Sequence, residues 1–393
     1  MATTVKHDPL EGTLLDGRYH IVAAIARGGT STVYRGLDLR LDRPVAIKVV
    51  DARFGGDDQF LARLELEARA VARLKAPSLV AVYDQGIDGL HPFLVMELIE
   101  GGTLRELLTE RGPMPPHAAV AVLRPVLSGL ATAHQAGLVH RDIKPENILI
   151  SDDHEVKIAD FGLVRAVAAA GITSNNIIFG TAAYLSPEHV RDGSTTARSD
   201  VYALGILAYE LLTGTTPFTG DSALSVAAQR LHADVEAPSS VIAGVPHQLD
   251  ALVARATSRN PADRYADAAD MLADLERIAA ELTLPAFRVP APSDSAQHRS
   301  AAQLPNLQDT PQAPVHHPTR QLIREDWPAE ATATAQPQAS FAPLFAGIAM
   351  NEFIHARQHS RRMALVWVAV ILAITGIVSS AAWTLGTHLS GLL

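Results

Sequence analysis

The chain has 393 residues, 48% of them hydrophobic, which is enough for a large core or for two domains with accessory segments. Its formal net charge of −9 provides no basic surface, so we do not expect nucleic acid as a partner. The sequence contains no cysteine, which excludes disulfide bonds and cysteine-ligated zinc. Residues 1–18 have no apolar core and do not resemble a signal peptide.

Residues 19–99 predict a small β-rich lobe. YHIVAAIA and STVYRGLD are β-prone runs separated by RGGT, which is typical of a glycine-rich hairpin. RPVAIKVV, LVAVYDQG and HPFLVMELI predict three further strands, and QFLARLELEARAVARLK has the apolar spacing of a helix. Residues 103–284 are mostly helical in pattern. Residues 19–284 therefore predict an α+β fold in which a β-rich lobe precedes a larger helical lobe.

The stretch HRDIKPEN, residues 140–147, places Arg141, Asp142, Lys144 and Asn147 close together, immediately before the apolar run ILI. This pattern indicates a loop that presents polar groups to a phosphate and a hydroxyl and is held from behind by a buried strand. Three other motifs fit the same chemistry. VAIK ends at Lys48, before this stretch, and DFG at residues 160–162 and SPE at residues 186–188 follow it.

These four ordered motifs resemble those of the eukaryotic-like, Hanks-type serine/threonine protein kinases of bacteria, in particular the actinobacterial PknB-type group. The resemblance covers roughly residues 15–282. It implies the two-lobed protein kinase fold, with an N-lobe at residues 19–99 and a C-lobe at residues 103–284. It also implies an enzyme of signal transduction that transfers the γ-phosphoryl group of ATP to Ser/Thr hydroxyls of protein substrates.

The resemblance assigns the catalytic roles to three residues. Asp142 would accept or orient the proton of the substrate hydroxyl. Lys144, typical of Ser/Thr kinases at this point of the loop, would touch the γ-phosphate. Lys48 would hold the α- and β-phosphates and would itself be held by Glu67, with Glu65 as the neighbouring alternative.

The same resemblance implies ATP and Mg²⁺, or Mn²⁺ in its place, with Asn147 and Asp160 as the metal ligands. The family's glycine-rich loop aligns with residues 26–33 and keeps only the middle of its three glycines. Glu97 and Ile99 would offer backbone hydrogen bonds to adenine, next to Met96 at the gatekeeper position. The full set of predicted nucleotide contacts is Ile25, Ala26, Arg27, Gly28, Gly29, Thr30, Ser31, Thr32, Val33, Ala46, Lys48, Glu97, Ile99 and Leu149.

The stretch between DFG and SPE corresponds to the family's activation segment. Arg141, next to Asp142, implies a basic pocket that pairs with a phosphorylated residue of this segment, and Thr173 and Ser174 are the predicted phosphosites. Thr181 resembles a threonine that contacts the catalytic loop. Three further residues have architectural roles by resemblance: Glu188 would pair with Arg264, and Asp200 would anchor the catalytic loop.

The C-terminal part predicts a membrane anchor. Residues 285–362 are rich in Pro, Ala, Gln, Ser and Thr and predict a disordered juxtamembrane linker. Within it, FAPLFAGIAMNEFIHARQ fits either an amphipathic helix on the inner leaflet or a continuation of the linker. Residues 363–385 carry no charge and predict one transmembrane helix, followed by a short extracytoplasmic tail, residues 386–393. Arginines precede the span and none follows it, which places the kinase domain in the cytoplasm at the cell membrane.

Two other functions compete with a protein kinase. A pseudokinase scaffold would be a binding protein and would lack Lys48, Asp142 or Asp160, all of which are present. A small-molecule phosphotransferase on the same fold is disfavoured by the SPE motif and by Lys144. A homodimer through the N-lobe is implied by the resemblance alone.

Overall fold

The structure is a computed structural model and describes residues 8–161, 183–302, 344–345 and 348–349. One antiparallel sheet forms the N-lobe, and its strands confirm the predicted β-rich lobe, including the hairpin at RGGT. The strands are β1 (Leu14–Leu15), β2 (Tyr19–Arg27), β3 (Ser31–Asp38), β4 (Arg43–Val50), β5 (Val82–Asp88) and β6 (His91–Met96). Their order across the sheet is β1-β2-β3-β4-β6-β5.

Strand β4 is buried on both faces, and its alternation positions Lys48. Val45, Ile47 and Val49 point to a cluster on the outer face of the sheet. Ala46 and Val50 point to the other face and join the main core. Because side chains alternate along a strand, Lys48 lies on the same face as Ala46 and Val50, toward the cleft between the lobes.

The single N-lobe helix, α1 (Asp58–Ala72), packs against this inner face. Asp57 caps its N-terminus by accepting hydrogen bonds from the backbone N–H groups of Gln59 and Phe60, each at 3.0 Å. Its buried residues, Phe60, Leu64, Ala68 and Val71, form one stripe. Glu67 stands three residues after Leu64, so it lies on the inward side of the helix.

The C-lobe is helical and contains one small sheet. Its helices are α2 (Leu104–Arg111), α3 (Pro116–Gln135), α4 (Pro187–Asp192), α5 (Ala197–Thr213), α6 (Ala223–His232), α7 (Pro238–Val241), α8 (His247–Ala256) and α9 (Ala268–Glu281). The sheet has the order β7-β8-β9, with β7 (Gly101–Thr103), β8 (Ile148–Ser151) and β9 (Val156–Ile158). Helix α5 is buried on all sides from residue 199 to residue 213 and forms the centre of this lobe.

The first residues after α9 are folded, although the sequence predicted a disordered linker there. The linker was expected from residue 285, but Val289, Ser295 and Ser300 are buried. A further helix, α10 (Ala296–Ala302), packs against β2 and β7. The first part of the expected linker is therefore folded onto the body formed by the two lobes, while residues 303–343 lie outside the described residues.

The predicted membrane segment is not among the described residues. None of the helices in those residues is long and apolar enough to cross a membrane. Residues 363–385 and the tail after them lie outside the described part of the chain. Two short strands, β10 (Leu344–Phe345) and β11 (Ile348–Ala349), pair in antiparallel fashion, so these residues do not form the amphipathic helix that was one alternative for this stretch.

A buried ion pair joins α4 to the segment between α8 and α9. Arg264 donates to both oxygens of Glu188, with Nη1–Oε1 at 2.9 Å and Nη2–Oε2 at 2.8 Å. Ser199 Oγ donates to Oε1 of the same carboxylate at 2.7 Å. Burial would raise the pKa of Glu188, but the hydrogen bonds from Arg264 and Ser199 lower it to about 2. The expected Glu188–Arg264 pair is therefore confirmed.

Replacing Glu188 with Gln should destabilise the chain by about 3–5 kcal/mol at pH 7, because Arg264 stays buried without its counter-charge. The folded pKa lies below the ordinary value of 4.5, so this stabilisation is present above about pH 4.5 and is lost as the pH falls toward 2. Thermal melts of the two chains should differ clearly at pH 7, and the difference should shrink below about pH 4.5 and nearly vanish as the pH approaches 2.

The matched control is Glu276→Gln, which removes an exposed pair with Arg124. This change should cost about 1 kcal/mol or less. Equal melting temperatures for the Glu188 and Glu276 variants at pH 7 would contradict the stabilising role of the buried pair.

Candidate active site

The catalytic loop between α3 and β8 is held from below by Asp200, as expected. The Asp200 carboxylate accepts the backbone N–H of His140 at 2.7 Å and that of Arg141 at 2.8 Å. His134 Nδ1 accepts the backbone N–H of Ala268, so the ring proton lies on Nε2 and is donated to Asp200 at 2.9 Å. Three donors thus satisfy one buried carboxylate.

Asp142, Lys144 and Asn147 form one hydrogen-bonded cluster. Lys144 Nζ lies 2.9 Å from Asp142 Oδ2. Asn147 Nδ2 donates to the Asp142 backbone carbonyl at 2.7 Å and to its Oδ2 at 3.1 Å. The cluster stands immediately before β8, whose Ile148 and Ile150 are fully buried. The sequence pattern of a polar loop held by an apolar strand is therefore confirmed.

His140 connects this loop to the DFG motif. Its Nδ1 accepts the backbone N–H of Asp142 at 3.3 Å, so Nε2 carries the proton and donates to the Ala159 carbonyl at 3.0 Å. Burial lowers the pKa of His140 and keeps the ring neutral. The ring also packs against Phe161, with centroids 4.7 Å apart.

Lys48 pairs with Asp160 and not with Glu67. Lys48 Nζ lies 2.9 Å from Asp160 Oδ1. Burial would raise the pKa of Asp160, but the Lys48 ammonium holds it below the ordinary value. No ion pair joins Lys48 to Glu67 in the part of the chain that the structure describes, so the predicted pair is wrong for this conformation.

Glu67 instead contacts the catalytic loop. Arg141 Nη1 lies 3.3 Å from Glu67 Oε1. Burial raises the pKa of Glu67, and the Arg141 charge opposes the shift without cancelling it. The alternative residue, Glu65, is half exposed and pairs with Arg69 on the outside of α1. The inward glutamate of α1 is therefore Glu67, as expected, and its partner differs because Arg141 lies closer than Lys48 in this arrangement.

The predicted nucleotide residues lie on β2, β3 and β4, in the hairpin between β2 and β3, after β6 and on β8. Ala46, Met96 and Ile99 belong to the main core, and Val33 and Leu149 pack against it. Ile25 is half-buried near the end of β2, and residues 26–29 of the hairpin are exposed. Residues 97–100, which join β6 to β7 and which we call the hinge, leave two backbone groups for a ligand: within the described residues, the Glu97 carbonyl and the Ile99 N–H make no hydrogen bond.

The donor set near Asp142 suits a magnesium ion that also contacts phosphate. Because Asn147 uses Nδ2 to bind Asp142, its Oδ1 is the atom left to face a cation. Asp160 supplies a carboxylate on the other side. Mg²⁺ prefers oxygen ligands and usually completes its shell with phosphate and water. No group of three or more acidic or histidine side chains that could hold a metal ion by itself occurs among the described residues.

Several predicted residues lie outside the described residues: Gly162 of the DFG motif, the predicted phosphosites Thr173 and Ser174, and Thr181. Sequence reasoning missed the segment that follows α9, which contacts Gly101 beside the hinge. A signal was present, because Ser293, Asp294 and Ser295 are good N-cap residues and precede the helix-forming run AQHRSAA.

Comparisons with known proteins agree with this geometry. Residues 19–274 match the protein kinase domain family. The serine/threonine-protein kinase PknL of Mycobacterium bovis is 71% identical over 393 residues, covering 98% of both chains. PknB of Mycobacterium leprae is 45% identical over 269 residues, which are 67% of this chain and 43% of that kinase. The crystal structure of the Mycobacterium tuberculosis PknI kinase domain superimposes with a TM-score of 0.55, at 23% identity, over 69% of this chain and 99% of that domain.

The chain therefore belongs to the protein kinase family, and within it to the Hanks-type serine/threonine kinases of bacteria. The similarity to PknL extends over nearly the whole length of both chains. The sequences RLDRPVAIKV and GTAAYLSPE also favour this similarity. The expected family and the two-lobed fold are confirmed.

Proposed function

We propose that the chain transfers the γ-phosphoryl group of ATP to Ser/Thr hydroxyls of proteins, that it phosphorylates its own activation segment, and that a C-terminal helix anchors it in the cell membrane. The observation that carries the first part is the hydrogen-bonded cluster of Asp142, Lys144 and Asn147, together with the ion pair between Lys48 of β4 and Asp160 of the DFG motif.

The residues divide the work of phosphoryl transfer. Such a reaction needs little covalent help, so the protein mainly positions the reactants and neutralises developing charge. Asp142 would orient the acceptor hydroxyl and take its proton, and Lys144 would neutralise the transferred phosphoryl group. Lys48 would hold the α- and β-phosphates of ATP. Asn147 and Asp160 would hold Mg²⁺, which supplies charge neutralisation between the phosphates.

A protein acceptor is supported by two features of the chain: the SPE motif at residues 186–188, and Lys144, whose Nζ lies 2.9 Å from Asp142 Oδ2 in the catalytic loop. The names of the most similar relatives support the same substrate class. A small-molecule phosphotransferase is the second candidate, and acceptor assays separate the two.

Control by the activation segment is supported by Arg141. Its Nε is buried and has no hydrogen-bond partner within the described residues. A phosphate on Thr173 or Ser174 would add nearly two negative charges and three acceptor oxygens. Such a group would compete with Glu67 for Arg141 and free Glu67 to pair with Lys48. Phosphorylation would therefore change two ion pairs of the cleft at once.

Membrane anchoring is supported by the sequence of residues 363–385, which carries no charge and is long enough to span a bilayer. Arg357, Arg361 and Arg362 precede it, and no Lys or Arg follows it. By the positive-inside rule, the kinase domain would lie in the cytoplasm. The homodimer expected by resemblance stays a prediction.

Asp142→Asn should reduce transfer to an added protein by at least about 100-fold, because the group that orients the hydroxyl is lost. Binding of ATP should persist. Lys48→Met should also abolish transfer, through misplaced phosphates. We would measure labelled phosphate on protein and on small-molecule acceptors. The exposed changes Asp153→Asn and Lys75→Met are the controls; undiminished transfer by either cleft variant would overturn the catalytic assignment.

Incubation with Mg·ATP alone should place phosphate within residues 163–185, first on Thr173. Thr173→Ala should slow phosphorylation of an added substrate at least several-fold, since Arg141 then lacks its phosphate partner. Arg141→Ala should have a similar effect, and the double variant should be no slower than either single one. Mass spectrometry and substrate kinetics test this, with Ser194→Ala as control. Full activity of Thr173→Ala, together with no phosphate on residues 163–185, would contradict control by phosphorylation of the activation segment.

Protease added to intact spheroplasts should leave the kinase domain uncut, because the positive-inside rule places it in the cytoplasm. The same protease should digest the domain once the membrane is permeabilised. Immunoblotting for the N-terminal part of the chain gives the readout. Cleavage of the domain in sealed spheroplasts would contradict the proposed orientation.

A further inference from the structure

Residues 286–302 run along the outside of the hinge, and we call them the hinge strap. On the C-lobe side, the Val289 carbonyl accepts from His154 Nδ1 at 3.2 Å, and the Val289 side chain is buried in the core. Ser293 donates twice to Glu110, through its backbone N–H and its hydroxyl, each at 2.7 Å. The beginning of the strap is thus fixed to the loop after β8 and to the end of α2.

Ser295 ties the strap to the strand that follows the hinge. Its hydroxyl, fully buried, donates to the backbone carbonyl of Gly101 and accepts the N–H of His298 at 3.0 Å. It therefore caps α10 and holds β7 with the same atom. The next residue, Ala296, donates its N–H to Glu106 Oε1 at 2.8 Å, so the start of α10 is also bound to the first turn of α2.

Helix α10 carries the strap across to the N-lobe, where it packs on β2. Arg35 of β3 is buried, and its Nε lies 3.5 Å from Ser300 Oγ. The other end of the same guanidinium reaches Glu100 of the hinge, with Nη1–Oε1 at 3.1 Å. Strap, hinge and N-lobe therefore meet at one buried arginine.

Gly102 shows how closely the strap is seated. A Cβ at this position would lie 2.4 Å from Pro292 Cγ and 2.7 Å from Ser295 Cβ, both in the strap. It would also lie 2.9 Å from Glu106 Oε2. The backbone of Gly102 is in a region open to other residues, so the need for glycine here comes from the strap and its Glu106 contact and not from the dihedral angles.

We propose that the hinge strap is a positioning element for the nucleotide. It is bound to both lobes and adjoins the hinge between them, through Gly101 directly after the hinge and through Arg35, which itself pairs with Glu100. A change of the angle between the lobes must therefore break or shift its contacts. By restricting the hinge, it would hold the Glu97 carbonyl and the Ile99 N–H ready for adenine and lower the ordering cost of binding. This inference rests on the proposed function only in that ATP binds at the hinge.

The test uses the full-length chain in detergent. Ser295→Ala removes the hydroxyl that bonds Gly101 and caps α10. The dissociation constant and the KM for Mg·ATP should each rise about fivefold, as expected for one lost buried hydrogen bond with a partner left unsatisfied. The kcat and the KM for the protein substrate should change by less than about twofold. Hydrogen exchange should be faster in residues 293–302 and in the hinge.

Two further variants make the test specific. Arg299→Ala is the control: Arg299 lies on the same helix but is exposed and bonds only Asp294 within the strap, so all these constants should stay as in the wild type. Gly102→Ala displaces the strap from the opposite side. It should raise the dissociation constant for Mg·ATP about as much as Ser295→Ala does. The double variant should raise this constant little further, since both changes act on one contact.

The outcomes separate the strap from the proposed function. If the wild-type chain binds Mg·ATP but transfers no phosphate, the proposed function is wrong. The role of the strap is then tested by the dissociation constants for Mg·ATP alone. If Ser295→Ala frees the strap by hydrogen exchange but leaves Mg·ATP binding unchanged, the strap only stabilises the fold and the inference is wrong. Unchanged exchange in the strap would show that Ser295 does not hold it, which also overturns the inference.

Discussion

The arrangement of the active site depends on the buried carboxylate of Asp200. By accepting the N–H groups of His140 and Arg141, it fixes two successive peptides of the catalytic loop. Arg141 has a φ of 67°, a conformation that a non-glycine residue keeps only when its surroundings impose it. Asp142 follows directly, and its N–H reaches the ring of His140. One acceptor at the N-terminal turn of α5 thus sets the backbone from which the catalytic side chain projects.

Two of the cations and two of the carboxylates near the active site can exchange partners without a change in net charge. In this structure Lys48 pairs with Asp160, and Arg141 pairs with Glu67. Burial raises the pKa of Glu67, and the Arg141 charge opposes this shift without cancelling it. The position of α1, which carries Glu67, is therefore coupled to whatever else binds Arg141.

Sequence patterns predicted those parts of the molecule that local rules determine. The alternation of side chains along β4 and the apolar stripe of α1 determine which way Lys48 and Glu67 point. The order of the motifs along the chain indicates the family. The choice of partner is different: Lys48–Asp160 and Lys48–Glu67 use the same residues, and only the relative position of helix and strand decides between them. The folded strap was missed because a stretch rich in Pro and Ser has linker composition. Its burial arises from distant contacts, such as that of Ser295 with Gly101, which no local pattern contains.

A kinase hinge faces conflicting demands that the strap helps to meet. Its backbone must leave the Glu97 carbonyl and the Ile99 N–H open to a ligand, so these groups cannot be used to hold the hinge itself. Support must then come from the outer side, where the carbonyl of Gly101 and the side chain of Glu100 are available. Glycine at positions 101 and 102 gives the strap access to this backbone; the φ of 138° at Gly101 and the short distances at Gly102 both exclude larger side chains. Because the strap is followed directly by the proposed linker and membrane anchor, any restraint on the chain after residue 302 would act first on the element that holds the hinge.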